Sequence, residues 1–225
     1  MLTIDSVTLE VPAPAPAQDF YTAAFGLGPR LRVSASDAPT TGFRGFAVSL
    51  VVSQPGTVNS LFGDALAGGA TTLKPAAKSF WGYGGVLRDP YGTIWKIATS
   101  AKKDTGPANR HIDEMVLLLG VDDVAATRRF YVDRGLTVAK SFGRKYVEFA
   151  TSNIKLALYG RRAAAKDAGV SPDGTGSHRL VIGSSGAGTF TDPDGFEWKA
   201  APETAAHAGV PGIADAALLT TRAEG

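Results

Sequence analysis

The sequence predicts an α+β fold built twice from one strand–helix–strands unit. Three observations predict it. Asp89-Pro90-Tyr91-Gly92-Thr93-Ile94-Trp95-Lys96 returns as Asp192-Pro193-Asp194-Gly195-Phe196-Glu197-Trp198-Lys199. The opening Ile4-Asp5-Ser6-Val7-Thr8-Leu9-Glu10 is echoed by Ile112-Asp113-Glu114-Met115-Val116-Leu117-Leu118. Between opening and close, Phe20-Tyr21 followed by Gly26-Leu27 is echoed by Phe130-Tyr131 followed by Gly135-Leu136. Landmarks kept in order and repeated after about 105 residues mark a duplicated domain rather than a solenoid repeat. The halves are expected at 1–101 and 111–201, joined by a polar linker at 102–110 and followed by a tail at 202–225.

Each element follows from local chemistry. Val7, Leu9 and Val11 alternate with Ser6, Thr8 and Glu10, the period of a half-buried strand. Pro12 to Pro16 breaks it, and Ala17 to Phe25 reads as a helix that turns Phe20, Ala24 and Phe25 to the core and stops at Gly26. Leu31 to Ser34 and Phe43 to Ser53 read as strands, Asn59 to Ala67 as a second helix closed by Gly68-Gly69. Strands follow near Thr72 to Lys74, Gly84 to Arg88 and Thr93 to Ala98, the last two joined by the Asp-Pro-x-Gly turn. The second half repeats the order: strand Ile112 to Leu119, helix Asp123 to Asp133, then strands near Thr137 to Ser141, Lys145 to Ala150 and Ile154 to Tyr159. Arg161 to Ala168 reads as a short helix and Arg179 to Ile182 as a strand. Gly183 to Gly188 stands where the first half has a full helix, so the last module is expected to be shortened. A short helix at Ile213 to Leu219 is expected in an otherwise loosely packed tail.

Composition narrows the function. A chain that is 44% hydrophobic can bury a core. Lys+Arg 23 against Asp+Glu 21 leaves no basic stripe for nucleic acid or a membrane surface. Zero cysteines exclude disulfides and thiolate metal sites. No signal peptide and no membrane span is legible, so a cytoplasmic protein is expected. Gly183 to Gly188 lacks the order of a dinucleotide fingerprint, and no nucleophile elbow, zinc-protease motif or phosphate loop is present.

Several residues stand out as candidates. Ser6, Thr8 and Glu10 share one strand face, and Glu10 could serve as a general base if desolvated. In Phe80-Trp81-Gly82-Tyr83-Gly84-Gly85, aromatics alternate with glycines. That suits a pocket rim where rings stack on a ligand and glycine allows close approach, a role assigned to Trp81 and Tyr83, with Phe80 read as core. Trp95 and Trp198 read as core. Arg44, Lys145 and Glu148 are charged strand residues that line either a cavity or solvent.

The order strand, helix, three strands, with Phe-Tyr on the helix, Gly-Leu after it and Asp-Pro-x-Gly before the last strand, resembles the vicinal oxygen chelate superfamily. That family includes glyoxalase I, bleomycin resistance proteins and extradiol dioxygenases. The resemblance covers each half in turn. It implies tandem βαβββ modules forming curved mixed sheets, with the ligand on a concave face. Metal-dependent members set a His or Glu early on the first strand and another ligand on the last strand, seven residues after the turn Asp. Those positions map here to Ser6 and Glu114, and to Lys96 and Lys199. His178 maps to a middle ligand position, with Leu156 at the other.

An ammonium has three donors and no acceptor, so it cannot ligate a divalent cation. Glu114 with Lys199, and Ser6 with Lys96, are expected to pair. A cation site could still form from Glu114, Glu148 and His178, since iron sites want imidazole and carboxylate together. The expected function is metal-independent binding of a hydrophobic or aromatic small molecule, without a cofactor, by a monomer or homodimer. The alternative is a lyase, isomerase or dioxygenase with a metal-free or rebuilt site, its catalytic group drawn from Glu10, Tyr83, Lys96, Glu114 or Lys199.

Overall fold

A computed structural model describes residues 3–200, so the expected helix at Ile213 to Leu219 lies outside the described residues. The first half runs β1 (Thr3–Val11), α1 (Pro14–Ala24), β2 (Leu31–Ala35), β3 (Thr40–Gly42), β4 (Phe46–Val51), α2 (Pro55–Ala67), β5 (Thr71–Ser79), β6 (Gly82–Arg88) and β7 (Ile94–Thr99). The second runs β8 (Glu114–Val121), α3 (Val124–Asp133), β9 (Val138–Phe142), β10 (Tyr146–Phe149), β11 (Ser152–Asn153), β12 (Lys155–Gly160), α4 (Arg161–Ala168), β13 (Gly174–Gly176), β14 (Leu180–Ser185), β15 (Phe190–Thr191) and β16 (Glu197–Ala200). No helix stands between β14 and β15, so the last module is the shortened one.

Both proline-led helices start earlier than the sequence suggests. Pro14 and Pro55 occupy the first helical turn, where a missing N–H costs nothing and the fixed φ already suits the helix. Asp123 caps α3 by accepting from Ala125 N at 2.8 Å and Ala126 N at 3.1 Å. These bonds hold its carboxyl below the ordinary range. A depressed folded value contributes stability above the unfolded value and loses it as pH falls through the folded one. Asp123→Ala is therefore expected to lower the thermal midpoint at neutral pH. The gap from the parent should close in acid, as read by melting curves across pH.

β5 is far longer than expected. It runs through Pro75 because β5 is the edge of its sheet, where a residue without an N–H is tolerated, and the register shifts beside the proline.

The two main sheets are each shared between the halves. An eight-stranded sheet runs β5-β6-β7-β4-β8-β12-β10-β9, and a six-stranded one runs β11-β1-β14-β16-β15 with β2 on β1. The larger sheet thus joins the end of the first repeat to the start of the second, β4 antiparallel to β8 at its centre. Segment 102–110 connects β7 to β8 within that sheet. Its backbone is tied to Gln54, whose amide accepts from Thr105 N at 2.8 Å and donates to Pro107 O at 2.8 Å.

Alternation sets the two faces of the large sheet. Val48, Leu50, Trp95, Ile97, Leu117, Leu119, Leu156 and Leu158 go inward to the main core. Helix α2 packs on β6 and β7, and α3 on β10 and β12. Trp95 and Trp198 are fully buried, as expected of core residues. Among the described residues no helix is long and apolar enough to cross a membrane.

Candidate functional site

The other face of the large sheet is concave, and its alternate residues build the site. Strand register lines up four of them in one row: Lys96 opposite Ser49, Ser49 opposite Val116, Val116 opposite Lys155. Lys96 and Lys155 therefore hold equivalent positions on either side of the sheet's centre, their Cα atoms about 14 Å apart at ordinary strand spacing. Lys96 forms an ion pair with Asp167 on α4, and Lys155 Nζ lies 2.5 Å from Glu114 Oε1.

Helix α4 fills one end of this concavity. Ala165 and Ala168 pack on Ala47, Val86 and Ile94 in a second small core. Gly120 admits the helix, because a Cβ there would crowd Ala164 and the Gly45 carbonyl. Lys74 Nζ donates to the Lys166 and Asp167 carbonyls at 2.8 and 2.7 Å, capping the helix where its dipole favours a cation.

Two adjoining hollows remain. One, of about 810 Å³, is lined by Ser49, Glu114, Val116, Phe142, Tyr146, Glu148 and Lys155 among others. The second, of about 600 Å³, lies along β5 and β6 with Lys74, Lys78 and Asp167. They meet at Trp81, Lys96 and Tyr159. Tyr146 Oη donates to Glu148 Oε2 at 2.9 Å, and Lys140 Nζ stands 3.9 Å from the other oxygen. Burial and then the Glu148 bond push the Tyr146 phenol well above its ordinary value, so it is a donor at neutral pH.

No family model matches the chain, and no curated protein does either. Solved structures do. Glyoxalase I from Zea mays aligns at 16% identity and TM-score 0.56, over 88% of this chain and 91% of that one. A point mutant of the same maize enzyme aligns at 14% identity and TM-score 0.57, over 88% and 92%. The chain has the fold of glyoxalase I. At such identity it is the fold alone that is shared.

Within this fold the lysine expected to mirror Lys96 is replaced. Lys199 belongs to β16 in the smaller sheet, in a row with Gly183 and Ser6, and is exposed. The counterpart of Lys96 across the concave sheet is Lys155. Both expected pairings are corrected accordingly: Glu114 meets Lys155 rather than Lys199, and Ser6 and Lys96 lie on different sheets. Ser6 is buried against Gly183, where a Cβ would collide with its Oγ. Thr8 and Glu10 extend along the same strand of the smaller sheet, opposite Val181 and Ser34, away from the hollows around Lys96.

The alternative cation site does not assemble. Glu114 and Glu148 share a hollow, but His178 lies in a separate one of about 320 Å³ with Arg161 and Asp194. Its ring stacks on Phe196 at 4.0 Å, and both nitrogens meet carbonyls, Arg44 O at 2.5 Å and Asp194 O at 2.9 Å. Arg44 itself donates to the Tyr91 carbonyl, outside the concave face. Among the described residues no three acidic or imidazole side chains converge on one point. The donor set at the sheet's centre does not fit a divalent cation: the row offers two ammoniums, one hydroxyl and a valine, and the adjoining Asp167 and Glu114 carboxylates are held by the ammoniums.

The aromatic stretch borders the hollows at Trp81 and Tyr83 and departs from its expectation at Phe80. Trp81 stands 82% exposed at the β5–β6 hairpin tip and overhangs both hollows. Phe80, expected in the core, is 81% exposed, paired edge-on with Trp81 at 5.0 Å and with the Lys102 ammonium 5.9 Å from its ring. A hairpin tip has no second layer to bury it. Tyr83 donates its hydroxyl to Asn59 on α2 at 2.8 Å. Gly82, Tyr83, Gly84 and Gly85 line the second hollow, and the glycines also serve the protein's own packing: a Cβ on Gly85 would strike Phe62, and one on Gly84 would strike Ala98 and the Ile97 carbonyl.

Lys155, Asp167, Lys140, Phe142, Tyr146 and Tyr159 were missed in the sequence. Lys155-x-Ala157-x-Tyr159 between buried Leu156 and Leu158 is the alternation that marked Lys155 and Tyr159. No local signal said that β12 would lie two strands from β4.

Proposed function

We propose that the chain is a metal-independent small-molecule-binding protein that holds an aromatic ligand on the concave face of its large sheet. One observation carries this reading: the central row Lys96, Ser49, Val116, Lys155. Its two ammoniums engage Asp167 and Glu114 in ion pairs on either flank of the centre, which leaves no ligand set for a divalent cation there. The walls around that row suit a flat, partly apolar molecule, with Trp81 and Phe142 exposed at the two hairpins that border the larger hollow. Most of the surface of these two rings is left in water, whereas a ring laid against them would bury both surfaces.

The test begins with the purified full chain. Elemental analysis is expected to find no stoichiometric divalent metal. Glyoxalase and catechol-cleavage assays with added Fe²⁺, Mn²⁺, Ni²⁺ or Zn²⁺ are expected to stay at background. A stoichiometric metal with turnover in either assay would falsify the reading. In a thermal-shift screen, aromatic compounds should raise the midpoint, since a ligand that prefers the folded state stabilises it. Trp81→Ala is expected to weaken such a ligand about tenfold by calorimetry while leaving the ligand-free midpoint unchanged.

A further inference from the structure

The charge of the concave face narrows the ligand class. Six lysines line the two adjoining hollows: Lys74, Lys78, Lys96, Lys140, Lys145 and Lys155. Only three carboxylates do, Asp167, Glu114 and Glu148, and each already faces a lysine. Lys74 is satisfied by carbonyls, which accept its hydrogen bonds without neutralising its charge. Among the described residues Lys78 and Lys145 face no carboxylate within ion-pair distance. The chain as a whole is nearly balanced, at +2, so a surplus of three positive charges in one concavity is a local concentration and not an average property. A cleft lined by one sign of charge focuses its field on whatever enters and raises the local concentration of the opposite sign.

We propose that the ligand is an aromatic acid: a planar ring system bearing a carboxylate, sulfonate or phosphate. The ring would lie between Trp81 and Phe142, with the acid group turned to the lysines. This rests on the binding reading above and adds the sign of the charge to it. An uncharged aromatic would leave the surplus ammoniums uncompensated, and a cationic one would add to them. The contribution is electrostatic at a half-open site, so it falls as salt rises.

Three probes with one ring and three charges test it: naphthoate, naphthalenemethanol and naphthylmethylammonium, titrated into the full chain by calorimetry at low and high salt. Naphthoate is expected to bind at least about tenfold tighter than the alcohol, with the advantage shrinking severalfold between about 0.05 and 0.3 M salt. The ammonium should not bind measurably. In Lys78→Glu/Lys145→Glu the preference for the acid should disappear while the thermal midpoint holds. Equal affinity for acid and alcohol, both lost in Trp81→Ala, would overturn the charge proposal and leave the concave binding face standing. Tightest binding by the ammonium would overturn it as well. If none of the three binds, the binding reading falls and takes this one with it.

Discussion

Replacing Asp89 with alanine is expected to destabilise the protein by roughly 3–5 kcal/mol, measured by urea unfolding with an unchanged denaturant slope. Asp89 is buried and accepts four hydrogen bonds: from Tyr91 N and Thr93 N, each at 2.9 Å, from Tyr21 Oη at 2.8 Å and from Trp95 Nε1 at 2.9 Å. One carboxylate thus closes the turn between β6 and β7 and ties it to α1 and to the central core tryptophan. Alanine would leave those donors without a partner, each at a desolvation cost.

The repeat provides an internal control. Asp192 accepts from Asp194 N, Phe196 N and Tyr131 Oη at 3.0, 2.8 and 2.6 Å. Trp198 Nε1 donates instead to the Tyr131 oxygen at 3.1 Å. Asp192→Ala therefore strips one donor fewer, and should cost about 1 kcal/mol less. Burial raises both carboxyls above the ordinary range. A raised folded value means that the folded chain holds the proton more tightly than the unfolded one. These groups then favour folding more as pH falls through their folded values, an effect complete below the unfolded value near ~3.9. The loss caused by Asp89→Asn should accordingly widen as the pH is lowered from neutral towards ~4.

Gly82→Ala is the second large effect, expected at about 2–4 kcal/mol. Gly82 has φ +139°, and a Cβ there would collide with the Thr99 carbonyl oxygen, with Ser100 Cα only 2.8 Å away. Backbone cannot yield as a side-chain tip can, so the β5–β6 hairpin would have to shift, and Trp81 with it. Aromatic-ligand affinity should fall together with stability. Gly143, between β9 and β10, separates the two causes. Its φ is +59° but no atom lies within 4 Å of a Cβ built there. Gly143→Ala carries the conformational cost without the collision and is expected to lose about 1 kcal/mol.

Some of the site was legible before any coordinates. The turn-plus-seven spacing led to Lys96, and its place on the concave face followed from alternation with the buried Trp95 and Ile97. Glu114, Glu148 and Trp81 were likewise singled out and line the larger hollow. Lys199 was misjudged because the repeat that links it to Lys96 is a likeness of sequence neighbours. A strand's neighbours across the sheet are another matter. Tyr83 and the glycines border the second hollow, but the Tyr83 hydroxyl is engaged by Asn59 on α2, a contact that alternation does not reveal, since it shows that two faces exist and not which one a helix will cover. Phe80 was assigned to the core because side-chain type alone says nothing about a second layer above it.

Local chemistry was enough to place the principal strands and helices, though not their ends or the shortest strands, and to show that the last module is short. Those follow from periods of two and 3.6, from proline and glycine, and from turn chemistry, all of which act within a few residues. Strand pairing was settled at a longer range. β4 took β8 across the boundary of the repeats, so the concave face joins the end of one copy to the start of the next. Backbone hydrogen bonds between strands are alike whatever the side chains, so partner choice rests on how distant apolar faces close over a common core. That global condition made Lys155, and not Lys199, the partner of Lys96.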